Sequence, residues 1–193
     1  MHIPLRPEAK YIGNMHGNEV ASKEILIHLV DFLLTNQTTN SDADFILKNT
    51  RVHILPSLNP DGFERAKVGY CKGTIGRYNT NMFDLNRNFP ELFECNDQKI
   101  QPETQAVIDW LKKNDFILSA NFHGGAMVAN YPYDNTLANT NKLSPTNDDD
   151  MFKKIAMAYS LNHLKMKGNQ CGDTWTNGIT NGGTYLLIDL KVF

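Results

Sequence analysis

The sequence contains no continuous run of about 18 apolar residues, so it offers no candidate for a membrane-spanning helix. It also lacks a basic cluster, because 19 Lys and Arg are balanced by 21 Asp and Glu, which leaves a formal net charge of −2. This balance gives no indication of a nucleic-acid-binding surface. The first residues, Met1 to Pro7, have no apolar core of the kind that a signal peptide needs.

Cysteine is scarce, and the three that occur, Cys71, Cys95 and Cys171, are far apart. Their spacing excludes a zinc knuckle. One disulfide with one free thiol and three reduced thiols are both compatible with this count, so the pairing stays open.

The length and composition are those of a soluble globular protein. The chain has 193 residues, of which 41% are hydrophobic and 21% are charged. A chain of this size can bury a sizeable core, and it is close to the usual length of one domain. We therefore expect a single domain over residues 1–193.

Short apolar runs alternate with segments of helical spacing. Strands are predicted over Lys10–Met15, Val52–Leu55, Phe116–Phe122 and Met127–Tyr131, and helices over Glu19–Leu34, from Pro102 through Leu111, and from Asp148 to about His163. This alternation predicts an α/β fold, with a mixed, mostly parallel sheet covered by helices on both faces. Residues 66–90 lack a clear period and are typical of a functional loop. Residues 178–183 are glycine-rich and predict a flexible loop.

A candidate metal site is formed by His16, Glu19 and His123. His16 and His123 both close apolar strands, where ligands collect in open α/β sheets, and Glu19 follows His16 by about one helical turn. Two imidazoles and one carboxylate leave a coordination position open, which is typical of catalytic zinc. The His16–Glu19 pair alone does not identify a metal site, because a His-x-x-Glu match occurs by chance in a chain of this composition with odds of roughly one in three.

A second group of candidates is Arg77, Asn86 and Arg87 in the long irregular segment. A guanidinium pairs bidentately with a carboxylate, so two arginines and an asparagine in one loop favour recognition of a carboxylate ligand. Ordinary surface arginines would give the same pattern.

Four longer motifs resemble one known family. They are residues 14–19 (Asn-Met-His-Gly-Asn-Glu), 59–64 (Asn-Pro-Asp-Gly-Phe-Glu), 84–90 (Asp-Leu-Asn-Arg-Asn-Phe-Pro) and 119–126 (Ser-Ala-Asn-Phe-His-Gly-Gly-Ala). In this order they resemble the zinc metallocarboxypeptidases, specifically the branch of carboxypeptidases D, E, M and N. The resemblance runs from about Lys10 to Gly183.

The resemblance implies zinc-dependent removal of C-terminal Lys or Arg from peptides and proteins. It also implies an extracellular or secretory location, although this sequence shows no signal peptide. The roles that it implies are zinc binding by His16, Glu19 and His123, polarisation of the scissile carbonyl by Arg77, binding of the substrate carboxylate by Asn86 and Arg87, and selection of a basic side chain by Asp134. A carboxylate that pairs with a cationic side chain explains this last role, although Asp134 is also an ordinary turn residue beside Pro132.

The general base of the family has no match in this sequence. The family places a glutamate beyond its last zinc ligand, whereas the last glutamate here is Glu103. From about Thr184 the sequence departs from the family pattern, and the family has more sheet before the zinc motif. We therefore expect a domain truncated at both ends. An alternative function is a zinc- and peptide-binding derivative without turnover, since the base activates the metal-bound water.

A further alternative is a zinc deacylase of the aspartoacylase type, which shares the His-Gly-x-Glu and Asp-Leu-Asn-Arg segments. Residues 59–63 and 131–134 favour the peptidase branch over the deacylase.

Overall fold

The computed structural model describes residues 6–70, 73–93, 95–137, 142–166, 175–184 and 191–192. Contacts divide the chain into two compact units. The first contains the chain up to Phe89 together with Asp97–Gly124, and the second contains Pro90–Asn96 together with the chain from Gly125 onward. The expectation of one domain over residues 1–193 stays a prediction.

The first unit is built on parallel strands joined through helices. In chain order its elements are β1 (Glu8–Gly13), α1 (Val20–Thr35), α2 (Ser41–Asn49), β2 (Arg51–Leu55), α3 (Pro60–Arg65), a 3-10 turn (Leu85–Arg87), α4 (Pro102–Lys113) and β3 (Phe116–Phe122). β1 lies between β2 and β3 and pairs in parallel with both. Parallel strands need long crossover connections, and the helices supply them.

The two faces of β1 are covered by different helices, because successive side chains of a strand point to opposite sides. On one face, Ile12 packs with Val107 of α4 in a buried core. On the other, Gly13 lies so close to α1 that a Cβ would come within 3.0 Å of Leu26. The predicted α/β fold with helices on both faces of a parallel sheet is confirmed in this unit.

The second unit has its own parallel strands. Its elements are β4 (Ala129–Tyr131), α5 (Asp149–Asn162), a 3-10 turn (Thr176–Gly178), β5 (Ile179–Asn181), a second 3-10 turn (Gly182–Thr184) and β6 (Lys191–Val192). β4 pairs in parallel with β5 and with β6. α5 packs against β4, with Ala156 and Ala129 fully buried.

Three local predictions need correction. No helix was predicted over Ser41–Asn49, yet these residues form α2. Asn40 caps this helix because its side chain accepts hydrogen bonds from the amides of Asp42 and Ala43. No helix was predicted over Pro60–Arg65 either, because Pro60 and Gly62 favour a turn, yet α3 begins at Pro60 and is capped by Asn59. The glycine-rich segment was predicted to be a flexible loop, but Ile179–Asn181 forms a strand because β4 supplies its backbone partners.

Cys95 is exposed and makes no disulfide, while Cys71 and Cys171 lie outside the described residues. Among the described helices, none combines the length and the apolar character needed to cross a membrane.

Candidate metal centre

His16 and His123 approach each other because of the strand register. Gly13 at the end of β1 pairs with Phe122 at the end of β3, so the chain leaves both parallel strands at the same edge of the sheet. His123 follows β3 directly, and His16 lies in the turn between β1 and α1. Glu19 is the residue that precedes α1, and its amide donates to the carbonyl of His16 at 3.0 Å.

The three side chains converge on one point. Nδ1 of His16 lies 2.8 Å from Oε1 of Glu19, and Nδ1 of His123 lies 2.9 Å from Oε2 of Glu19. The two Nδ1 atoms are 3.2 Å apart. One potential ligand atom from each residue lies within 4.8 Å of the others. The His16 side chain is fully buried and that of Glu19 is 15% exposed, so the donor atoms are largely shielded from solvent.

The other ring nitrogens have partners of their own. Nε2 of His16 lies 3.0 Å from Oδ1 of Asp84, and Nε2 of His123 lies 2.9 Å from Nδ2 of Asn121. Metal-binding histidines usually hydrogen-bond through the second ring nitrogen, which fixes the tautomer and the ring orientation. Sequence reasoning gave no role to Asp84 or Asn121. Both lie inside motifs quoted above, Asp84 at the start of residues 84–90 and Asn121 within residues 119–126, and these motifs were the available signal.

The donor set fits zinc, which binds imidazole nitrogen and carboxylate oxygen. Asp84 can accept the Nε2 proton of His16, which leaves the lone pair of Nδ1 directed towards Glu19 and His123. Oδ1 of Asn121 is buried and has no hydrogen-bond partner among the residues that the structure describes. If the Asn121 amide turns over, Oδ1 accepts the Nε2 proton of His123, and the Nδ1 of that ring then presents a lone pair to a metal.

The surroundings hold the carboxylates of this centre in the ionised form. Burial alone would raise the pKa of Glu19, but hydrogen bonds from His123 and His16 outweigh it and lower that pKa to about 2. Burial would also raise the pKa of Asp84, yet the hydrogen bond from His16 and the charges of His16 and Arg77 lower it. For His16, burial lowers the pKa, and hydrogen bonds to Asp84 and Glu19 outweigh this, so its pKa is raised. A centre with ionised carboxylates at neutral pH attracts a cation.

Arg77 joins the two carboxylates of the centre. Its Nη1 lies 3.4 Å from Oε1 of Glu19, and its Nη2 and Nε lie 3.0 and 3.1 Å from Oδ2 of Asp84. The carbonyl of Arg77 accepts from the amide of Gly17 at 3.3 Å and from Nδ2 of Asn59 at 3.1 Å. The guanidinium is therefore held beside the candidate ligands.

Asn86 and Arg87 form the 3-10 turn that follows Asp84. Oδ1 of Asp84 accepts from the amide of Asn86 at 2.9 Å and so caps this turn. Asn86 is 7% exposed, whereas Arg87 is exposed, and its Nη1 donates to the carbonyl of Asn86 at 3.1 Å. Both predicted carboxylate-binding residues thus lie next to a residue that contacts His16.

Asp134 belongs to the second unit and follows β4. Nδ2 of Asn181 donates to the carbonyl of Pro132 at 2.8 Å, which ties the turn before Asp134 to β5. Gly182 lies against Asp134, since a Cβ at this glycine would overlap the Asp134 carboxylate. The Asp134 side chain is half-buried.

Comparison with known proteins identifies the family of the chain. A family model described as zinc carboxypeptidase matches residues 1–189. Carboxypeptidase D of Mus musculus is 44% identical over 191 residues, which are 96% of this chain and 14% of that protein. Carboxypeptidase M of Mus musculus is 47% identical over 182 residues, which are 91% of this chain and 41% of that protein.

A solved structure has the same fold. The crystal structure of thrombin activatable fibrinolysis inhibitor matches with a TM-score of 0.68 at 16% identity, over 94% of this chain and 48% of that chain. The present chain therefore spans less than half the length of each of these three proteins. The family model covers nearly all of the chain, and on that evidence the chain belongs to the zinc carboxypeptidase family.

Proposed function

We propose that this chain binds one zinc ion through His16, Glu19 and His123 and removes C-terminal Lys or Arg residues from peptides and proteins. The observation that carries the proposal is the convergence of three donor atoms within 4.8 Å beside the guanidinium of Arg77. The similarity to carboxypeptidases D and M supports the reaction type. An extracellular or secretory location stays a prediction.

A bound zinc ion would polarise the scissile carbonyl and lower the pKa of a coordinated water. Asp84 would hold the proton on Nε2 of His16 and so keep Nδ1 available. Arg77 has five N–H donors, so it can keep its contact with Asp84 while another N–H approaches the carbonyl oxygen of the substrate. That contact would stabilise the negative charge that develops on this oxygen.

The substrate carboxylate would be bound by Asn86 and Arg87. The planar guanidinium fork of the exposed Arg87 matches the geometry of a carboxylate bidentately. The hydrogen bonds of the Asp84 cap would hold this turn in place.

Asp134 would select a basic C-terminal residue by pairing its carboxylate with the cation. We expect Asp134→Ala to weaken binding of peptides that end in Arg by about tenfold or more and to leave peptides that end in Phe nearly unaffected. Isothermal titration of the two peptides measures this difference. Asp148→Ala, which removes an exposed carboxylate of the same unit, is the matched control. Equal losses for both peptides would remove Asp134 from the specificity role.

A second candidate function is zinc and peptide binding without turnover. Turnover also needs positioned acid–base help, which typically contributes about 10²–10⁴-fold to the rate, and a centre without it would bind zinc and peptide without releasing a product. The later carboxylate Asp189 lies outside the described residues.

The experiment that separates these functions measures arginine release from a peptide with a C-terminal Arg, with zinc quantified in the same sample. We expect release that is abolished by a chelator, restored by zinc and absent from a His16→Ala variant. Stoichiometric zinc with binding but no release would establish the second function. Hydrolysis of an N-acyl amino acid in place of the peptide would instead indicate the deacylase.

A further inference from the structure

Asn59, the first residue of the Asn-Pro-Asp-Gly motif, uses both halves of its side-chain amide. Oδ1 accepts from the amide of Gly62 at 2.9 Å and so caps α3. Nδ2 donates to the carbonyl of Met15 at 3.2 Å and to the carbonyl of Arg77 at 3.1 Å. The residue is fully buried, so each of these hydrogen bonds forms away from solvent.

The two carbonyls that Asn59 binds belong to different parts of the centre. Met15 immediately precedes His16, and Arg77 carries the guanidinium beside Glu19 and Asp84. The carbonyl of Arg77 also accepts from the amide of Gly17 at 3.3 Å. One amide group therefore connects the turn that holds two candidate ligands with the loop that holds Arg77.

The glycine of the motif is required by close packing at the same place. A Cβ on Gly62 would lie 2.6 Å from Nδ2 of Asn59 and 2.7 Å from the carbonyl of Gly76. A Cβ on Gly17 would lie 2.2 Å from the carbonyl carbon of Gly62. The turn after His16, the start of α3 and the loop before Arg77 thus meet backbone to backbone, and the Asn59 side chain lies against the same contact.

A capping role alone would not explain this arrangement. Helix capping needs only an acceptor, which Ser, Thr and Asp supply as well as Asn. Asn40 of α2 illustrates the simpler case, because its Oδ1 accepts from the amides of Asp42 and Ala43 at 3.0 Å each. At Asn59 the donor half of the amide has a separate use.

We propose that Asn59 is a positioning residue that sets the main chain of Arg77 against the metal-binding turn. Its N–H groups fix the distance between the Arg77 carbonyl and the Met15 carbonyl, and this places the guanidinium next to Glu19 and Asp84. The use of Arg77 on a substrate rests on the proposed function, whereas the connection made by Asn59 does not.

The test uses Asn59→Asp, which keeps the capping acceptor but replaces the N–H donor with an oxygen that faces two carbonyls. Asn40→Asp is the matched control, since both contacts of Asn40 named above use only its acceptor. The first readout is amide hydrogen exchange. We expect exchange at the Gly17 amide to accelerate about tenfold or more in Asn59→Asp, while the Gly62 amide keeps its protection. Asn40→Asp should change neither amide.

The second readout is the affinity of the zinc-loaded protein for an N-acyl dipeptide that ends in arginine. We expect Asn59→Asp to weaken binding about tenfold when Arg77 is present and hardly at all in an Arg77→Ala background, because the two residues would act through one contact. Zinc content should be unchanged in all variants. If the affinity losses of Asn59→Asp and Arg77→Ala instead multiply in the double variant, Asn59 does not act through Arg77 and the proposal is overturned.

The two readouts separate this inference from the proposed function. If the wild-type chain binds no such dipeptide, the proposed function fails and hydrogen exchange decides the role of Asn59. Unchanged protection of the Gly17 amide in Asn59→Asp would overturn that role. If Asn59→Asp does not fold, Asn59→Ser replaces the two N–H donors of Nδ2 with a single hydroxyl and adds no charge, and the same hydrogen-exchange and binding results then decide the role of Asn59.

Discussion

At the residue scale, the two nitrogens of His16 face different chemical partners. Nδ1 faces Glu19 and His123, whereas Nε2 faces Asp84. Asp84 in turn accepts from Arg77 through its other oxygen. The ligand ring and the guanidinium are therefore oriented by one carboxylate, so a change at Asp84 should affect metal binding even though it contributes no ligand atom to the proposed site.

We predict that Asp84→Asn weakens zinc binding about 10–100-fold, the range typical of losing an outer partner of a ligating histidine. A competition titration against a chromophoric chelator measures this change. Asp61→Asn is the control, because Asp61 is exposed and accepts from Thr80 rather than from a ligand. Equal zinc affinity in Asp84→Asn and the wild type would show that Asp84 does not support His16.

Lys10 of β1 provides a prediction about pH. It is 6% exposed, donates to Oγ of Ser119, and lies 5.7 Å from the ring of Phe116. Burial lowers the pKa of Lys10 from 10.5 to about 8. Below about pH 8 the ammonium is charged in both folded and unfolded chains and its burial costs about 3 kcal/mol. As the pH rises from about 8 towards 10.5, Lys10 loses its proton in the folded chain and this cost disappears. The free energy of unfolding therefore increases with pH between these two values.

Lys10→Met should remove that dependence. We expect the free energy of unfolding of the variant to exceed that of the wild type by more at pH 7 than at pH 10. Urea unfolding at a series of pH values measures the difference, and an exposed residue such as Lys48 provides the control as Lys48→Met. A difference that does not change with pH would contradict the buried charge.

Part of the centre could be predicted from single residues. His16 and His123 close apolar strands, and parallel strands end at the same edge, so their convergence with Glu19 could be predicted; that they bind zinc stays a prediction. Asp84 lies 68 residues from His16 along the chain. Its position depends on the path of an irregular loop, which no periodic pattern in the sequence describes.

At the element scale, α1 presents one narrow buried face. Leu26 and Leu33 are buried seven positions apart, or about two turns, whereas Leu34 is 63% exposed. Leu26 is fully buried and lies close to Gly13 of β1. The helix that follows Glu19 is therefore attached to the sheet mainly through this face.

We predict that Leu26→Ala destabilises the fold by about 2–5 kcal/mol, the usual cost of deleting a buried leucine side chain. Leu34→Ala on the same helix should change stability by less than about 0.5 kcal/mol because that residue is exposed. Denaturant unfolding of both variants provides the measurement. Comparable losses in the two variants would contradict the packing of α1 against β1.

The predictability of the elements follows from how local their signals are. β3 was predicted with its observed bounds because its apolar run lies between polar residues. α3 was missed because Pro60 and Gly62 favour a turn, yet Pro60 occupies the first turn of the helix and Asn59 caps it. β5 was missed because its pairing with β4 is a tertiary interaction between distant segments, and glycines flank it in the sequence.

At the scale of the whole molecule, the candidate centre lies within one compact unit. The three candidate ligands and Asp84, Arg77 and Asn121 all belong to the first unit. Zinc binding should therefore depend on the fold of that unit. Binding to the folded chain but not to the unfolded chain would also stabilise it, by about 2.7 kcal/mol at a zinc concentration of 100 times the dissociation constant.

The most direct test of this account is the zinc content of the purified full chain after dialysis, compared with that of His123→Ala. We predict about one zinc ion per wild-type chain and a large loss in the variant, since it removes one of three protein ligands. His28→Ala, which changes an exposed histidine of α1, should retain the metal. Equal zinc content in the wild type and His123→Ala, or none in a folded wild-type chain, would contradict the proposed centre.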